Sequence, residues 1–194
     1  MYKLCKTERS ARRQRQIEYA LLDLMTQQPY DTISVTELCE KLVMPRKAFY
    51  RYFDSKDDAL TALLEHTFAE YESFRQNTAF DGTRSLKKDL VSFFAFWKQQ
   101  RPLLDAFAGS DLLGRLSLVL INMAGRNAIL LSTLLPDESE AVRLQVAKFA
   151  ACGFISLAVE WYKDGFATSD EEMLALSLRL LAQPLFTDSS DAQN

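Results

Sequence analysis

Between Glu37 and Phe53 the chain reads ELCEKLVMPRKAFYRYF. Two adjacent cations, Arg46 and Lys47, follow a proline, and four aromatics, Phe49, Tyr50, Tyr52 and Phe53, fall within five residues around Arg51. Cations beside rings suit a polyanion. Arginine can bridge guanine O6 and N7, and lysine reaches the same acceptors. Tyr50 and Tyr52 suit phosphate oxygens or thymine methyl groups. Catalytic chemistry has far less to work with. The chain holds one histidine, His66, and three widely separated cysteines, Cys5, Cys39 and Cys152, so no zinc spacing exists. Neither a nucleophile elbow nor a phosphate loop is present. We therefore expect no enzyme, no cofactor and no metal, with reduced thiols and a structural or surface His66.

Charge supports a polyanionic partner. The formal net charge of −3 hides an asymmetry: residues 1–56 carry eleven Lys/Arg against seven Asp/Glu, and the rest carry twelve against nineteen. A basic head on an acidic body suggests that the head meets nucleic acid. The N-terminal MYKLCKTERSARRQRQ has no apolar signal core, and no run of 18 apolar residues occurs. A cytoplasmic chain without a membrane span is the expectation.

The elements that must position these groups read as helices throughout. Ile17, Ala20, Leu21, Leu24 and Met25 recur as one stripe, closed by Gln28-Pro29. Ser34 with Glu37 forms a capping box and opens a short second helix to about Leu42. Pro45 suits the first position of a third, which buries Phe49 and Phe53 and leaves Arg46, Lys47, Tyr50 and Arg51 on the other side or its flanks. Ser55 caps a fourth, running through Leu60, Leu63, Leu64, Phe68 and Tyr71 to about Phe74. A polar loop spans Asn77 to Thr83. Leu86, Leu90, Phe93, Phe94 and Trp97 mark a fifth helix, and Pro102 opens a sixth to about Phe107. Leu112–Leu135 makes a seventh, closed by Pro136. Ser139 to about Lys163, capped by Gly165, makes an eighth. Ser169 with Glu172 opens a ninth, to about Gln183. No strand is expected. The chain reads as all-α, with a DNA-binding head over residues 1–56, a helical regulatory and dimerisation body over 57–186, and a frayed tail over 187–194. Two short helices on a tight turn, the second beginning Pro-Arg-Lys, have the geometry of a helix-turn-helix.

Ile33 to Leu60, ISVTELCEKLVMPRKAFYRYFDSKDDAL, resembles the DNA-binding domain of the TetR/AcrR family of transcriptional regulators. Ser34, Leu38, Met44, Phe49, Tyr50, Phe53, Ser55, Lys56 and Asp57 carry the likeness, which extends over about residues 11–60. Val43 stands where the family usually has glycine, and Pro45 where a serine usually caps the third helix. The resemblance implies that Ser34 and Thr36 touch phosphates and that Arg46, Lys47 and Ala48 approach base edges. It also implies that Tyr50, Arg51, Tyr52 and Lys56 hold backbone or groove. Arg12, Arg13 and Arg15 would add an electrostatic contact.

An isolated helix-turn-helix reads few base pairs, so a homodimer on a palindrome is expected. The pairing face is sought on the last two helices: Val146, Phe149, Gly153, Phe154, Leu157 and Trp161 on the eighth, Leu176 and Leu180 on the ninth. FISLAVEWYKDGFATSDEEM is similar to family members in which this helix pair forms a four-helix bundle with its twofold mate. The family's habit also implies a small-molecule effector that releases DNA from a repressor. Its candidate lining is Tyr71, Phe93, Trp97, Phe107 and Tyr162, with Asn122 and Arg126 for a polar group. The other reading of the same fold is a coactivator or interaction module with weak or no operator of its own.

Overall fold

The computed structural model describes residues 7–78, 85–124, 135 and 137–182. Among them are nine α-helices and no strand: α1 (Glu8–Met25), α2 (Val35–Lys41), α3 (Arg46–Phe49), α4 (Lys56–Thr78), α5 (Leu86–Gln99), α6 (Arg101–Gly109), α7 (Leu113–Ala124), α8 (Glu140–Lys163) and α9 (Asp170–Ala182). A 3-10 turn, Tyr30–Thr32, separates α1 from α2; no sequence signal pointed to it.

Local capping explains where most helices start. Thr7, Ser34, Ser85 and Ser139 each accept the backbone N–H three residues on, satisfying one of the donors a helix start leaves open. Ser169 and Glu172 form the expected reciprocal box, at 3.3 Å and 3.0 Å. Two boundaries differ from expectation. Pro45, at ψ 143°, is the N-cap of α3 rather than its first helical residue, and it offers no side-chain cap. With that start uncapped, α3 keeps one turn and Tyr50–Tyr52 continue as turns. α4 runs through Asn77 and Thr78, which the sequence had assigned to a loop. The second half of the expected seventh helix and the expected tail lie outside the described residues.

Three helices end in the same way. At α2, α6 and α8 the residue after the C-cap takes positive φ: Val43 at 48°, Asp111 at 55° and Gly165 at 68°. Each forms the paired 6→1 and 5→2 backbone bonds that close a helix end, for example Met44 N–H to Cys39 O at 2.9 Å and Val43 N–H to Glu40 O at 3.0 Å. Glycine does this freely and aspartate tolerates it, but valine is β-branched. Val43 is 92% exposed, so its side chain gains nothing to offset the strain. Val43→Gly is expected to stabilise the fold. Relief of about 1–2 kcal/mol of left-handed strain outweighs about 0.5–1 kcal/mol of glycine's extra unfolded entropy. Thermal unfolding should show a midpoint raised by roughly 2–4 °C; a lowered midpoint would mean the valine conformation is not strained.

One core runs from the head into the body. Ile17 and Leu21 of α1, Leu38 of α2, Phe49 of α3, Leu60 and Leu63 of α4, and Phe107 of α6 are buried in one continuous cluster. A smaller cluster joins Leu90 and Phe94 of α5 to Trp161 of α8 and Met173 of α9. Helices α1 to α3 therefore share one core with α4 and α6.

Candidate nucleic-acid interface

The putting together of α2, its turn and α3 follows from three local devices. Ser34 Oγ accepts Glu37 N–H at 3.1 Å, and Glu37 Oε2 accepts Ser34 N–H at 2.7 Å. Gln28 then donates to the same carboxylate at 3.1 Å. The Gln28 bond, followed by those to Ser34, holds the Glu37 carboxyl below its ordinary range. The backbone closure at Val43 sets the turn. Phe49 and Phe53, both fully buried and 5.7 Å apart between ring centroids, anchor α3 to the core.

With the phenylalanines inward, Arg46, Lys47 and Arg51 are exposed on the opposite side, as expected. Tyr50 is 40% exposed and stands edge-on to Phe49, with its hydroxyl 3.4 Å from the Arg46 guanidinium. Ser34 and Thr36 are exposed at the start of α2. A one-turn helix thus presents two adjacent cations at its N-terminal end, the end that enters a major groove first.

Three residues sit differently from expectation. Ala48 is buried against the core, because α3 turns its small residue inward beside Phe49; it is not placed to approach base edges. Lys56 does not extend from the surface. Its ammonium donates to the carbonyls of Tyr30, Asp31 and Ile33 at 2.8, 3.1 and 2.9 Å and lies 4.4 Å over the Tyr30 ring. Arg15, grouped with Arg12 and Arg13 as an added DNA contact, instead bonds Glu18 at 2.6 Å, Tyr19 at 2.7 Å and Glu70. Burial of Glu18 draws it there: that carboxylate is fully enclosed and also meets His66 Nδ1 at 2.9 Å, and a buried carboxylate needs charged partners. His66, expected as a structural or surface residue, thus joins α4 to α1 from a partly exposed position. Tyr52 is half-buried against the core.

Residues the sequence did not flag complete the frame. Tyr30 is buried: its N–H donates to Ser110 Oγ at 3.0 Å and its hydroxyl to Asp57 Oδ1 at 2.9 Å. Arg115 of α7 donates to the same Asp57 oxygen at 2.7 Å. The Arg115 bond is the main cause holding the Asp57 carboxyl below its ordinary range, and burial with the Asp57 bond pushes the Tyr30 hydroxyl up. These contacts span 27 to 80 residues, so no periodicity could reveal them.

In the body, Phe93 and Trp97 do line a cavity, with Leu104, Leu116, Leu120, Ile155 and Phe166 among its walls. It is lined by aliphatic and aromatic side chains and is small, about 20 Å³, room for about one water. The other expected lining residues are elsewhere. Tyr71 packs among Phe68, Phe93 and Phe96. Phe107 is in the main core. Tyr162 donates to Asp105 at 2.8 Å, its hydroxyl pushed up to about 12 by burial and by that bond. Asn122 is exposed, and Arg126 lies outside the described residues.

The last two helices leave an apolar face open. On α8, Val142, Val146 and Phe149 are 42%, 36% and 75% exposed. Gly153, on the same stripe, has nothing within 4 Å of where a Cβ would stand. Phe154 and Leu157 are half-buried in the smaller cluster, and Leu176 and Leu180 on α9 are half-buried. Trp161 does not belong to this face. It is buried on Phe94 and Phe166 and donates to Thr168 O at 2.7 Å, since the stripe rotates inward toward the end of α8. α8 is also long and apolar enough to cross a membrane, although Lys148 and Glu160 interrupt it and Ala147, Ile155 and Trp161 are buried.

Residues 20–63, the segment holding α2, its turn and α3, match the family model described as bacterial regulatory proteins, tetR family. No curated protein matches the chain in sequence. Among solved structures, the fatty acid degradation regulator FadR from Bacillus halodurans is similar at TM-score 0.63 and 13% identity, over 95% of this chain and 100% of that one. A TetR-family regulator from Syntrophomonas wolfei is similar at 0.59 and 19%, over 92% and 100%. The dihydroxyacetone kinase operon activator DhaS is similar at 0.59 and 20%, over 87% and 93%.

Proposed function

We propose that this chain, a TetR-type fold whose residues 20–63 match the TetR-family model, is a homodimeric, sequence-specific transcriptional repressor acting on a palindromic operator. The observation that carries this reading is the exposed Arg46–Lys47 pair at the start of a helix whose rear face is locked by Phe49 and Phe53. Arg46 and Lys47 read base edges; Ser34, Thr36, Tyr50 and Arg51 meet the phosphate backbone. The open stripe Val146–Phe149–Gly153, continued by Leu176 and Leu180, pairs with its twofold copy, because so much exposed apolar surface on one helix marks an interaction site.

Release by a small apolar effector completes the proposal. Its support is the apolar lining of Phe93, Trp97, Leu116 and Leu120, together with the fatty acid degradation named for one structure of this fold. The seat is too small for such a molecule as it stands, so binding requires α5, α7 and α8 to part.

Selection of the purified protein against random duplex DNA tests the reading. An enriched inverted repeat, with log affinity falling steeply as log salt rises, is the expected result. A second reading, an activator working through a protein partner, is favoured by the uncapped single turn of α3 and by the operon activator of similar fold. It predicts no enriched sequence and only weak, salt-sensitive binding to any duplex.

A further inference from the structure

Lys56 carries a charge next to the helix-turn-helix, and the obvious role for it is a phosphate contact. Its surroundings argue otherwise. An ammonium has three N–H donors, and all three carbonyls around Lys56 Nζ, those of Tyr30, Asp31 and Ile33, lie within 3.1 Å. The Tyr30 ring covers the same group at 4.4 Å. No donor is left to offer a phosphate oxygen without breaking one of these bonds.

What those bonds hold is the chain just ahead of the reading head. The three carbonyls belong to the 3-10 turn and to Ile33, and the next residue, Ser34, is the N-cap of α2. Asp57, beside Lys56, takes the Tyr30 hydroxyl, and Arg115 of α7 fixes Asp57 in turn. Ser110, just past α6, accepts the Tyr30 N–H. Tyr30 is thereby gripped at ring, hydroxyl and backbone, by the start of α4 and by two residues of the body. We propose that Lys56 and Asp57 are positioning residues for DNA reading: a clamp on Tyr30 that sets where α2 and α3 stand relative to the body, and not a contact with the nucleic acid. The proposal rests on the DNA-binding reading above and names what orients its site.

Substituting Lys56 by Gln and, separately, by Arg separates the two roles, measured against the inverted repeat that the wild type selects and against an unrelated duplex. A phosphate contact loses about 0.9 of salt slope per phosphate, about 1.8 for a dimer, on change to Gln, while Arg preserves both slope and affinity. A clamp behaves differently. Lys56→Gln lowers affinity for the selected site at least tenfold, leaves the salt slope and the unrelated duplex unchanged, and Lys56→Arg is nearly as weak. A planar guanidinium cannot converge on three carbonyls as a compact ammonium does. A slope reduced by about 1.8 in the Gln variant with a normal Arg variant overturns the proposal.

Amide hydrogen exchange without DNA keeps the test independent of the operator. In Lys56→Gln, and more mildly in Arg115→Ala, exchange over residues 32–38 should rise at least tenfold while the α5 and α8 amides stay as in the wild type. Unchanged exchange in that segment overturns the clamp. A wild type that selects no DNA overturns the DNA-binding reading instead, and the exchange result still decides what Lys56 does.

Discussion

Replacing Arg46 and Lys47 together by alanine is expected to abolish sequence-selective DNA binding while leaving the fold intact. Both side chains are exposed, and neither fills the core that Phe49 and Phe53 occupy, so the unfolding midpoint should hardly move. A well-formed bidentate base contact is worth about 1–3 kcal/mol of discrimination, and a palindrome counts each residue twice. Preference for the selected site over random duplex should therefore fall on the order of 10³-fold or more, to the non-specific floor. Weak, salt-sensitive binding should persist, because Arg51 and Arg12 remain exposed on the basic head. Competition binding with the selected site and a scrambled duplex measures the ratio. If the double variant keeps the wild-type preference, α3 is not the reading element.

The second large effect concerns the open face of α8. Phe149 is 75% exposed in the single chain, so Phe149→Glu should leave the isolated protomer folded, within about 0.5 kcal/mol. In the proposed twofold pair the same ring would be buried, and a buried aromatic anchor is worth about 2 kcal/mol or more. Symmetry counts that loss twice and sets two new carboxylates in an apolar interface. Dimerisation should weaken about 10³-fold or more, converting a dimer to monomer at micromolar concentration in sedimentation velocity. Affinity for the full inverted repeat should collapse with it, toward that of a single half-site. A variant that sediments as the wild type does, with unchanged operator affinity, would place the pairing face elsewhere.

The residues themselves declare the features that depend on neighbours three or four positions away. The capping boxes at Ser34–Glu37 and Ser169–Glu172, the glycine closure at Gly165 and the apolar stripe of α1 all appear where their spacing predicts. Each needs only the chain's own helical geometry. The all-helical fold, the exposed Arg46–Lys47 pair and the inward Phe49 and Phe53 follow from the same local rule. Which partner a long or charged side chain takes is a different matter, because it depends on what distant segments bring within reach. Lys56 reads as a surface cation until the turn at residues 30–33 folds beneath it. Arg15 reads as part of a basic cluster until Glu18 is enclosed and must be neutralised. Trp161 lies on an apolar stripe in sequence, yet the packing of α5 and α9 turns it inward while Phe149, three turns earlier, stays in the open. Val43 stands where the resembled family usually has glycine, and the backbone closure at the end of α2 does hold it at positive φ. Periodicity and caps are settled within one helix, whereas burial and charge pairing are settled between helices, and only the tertiary structure brings those together.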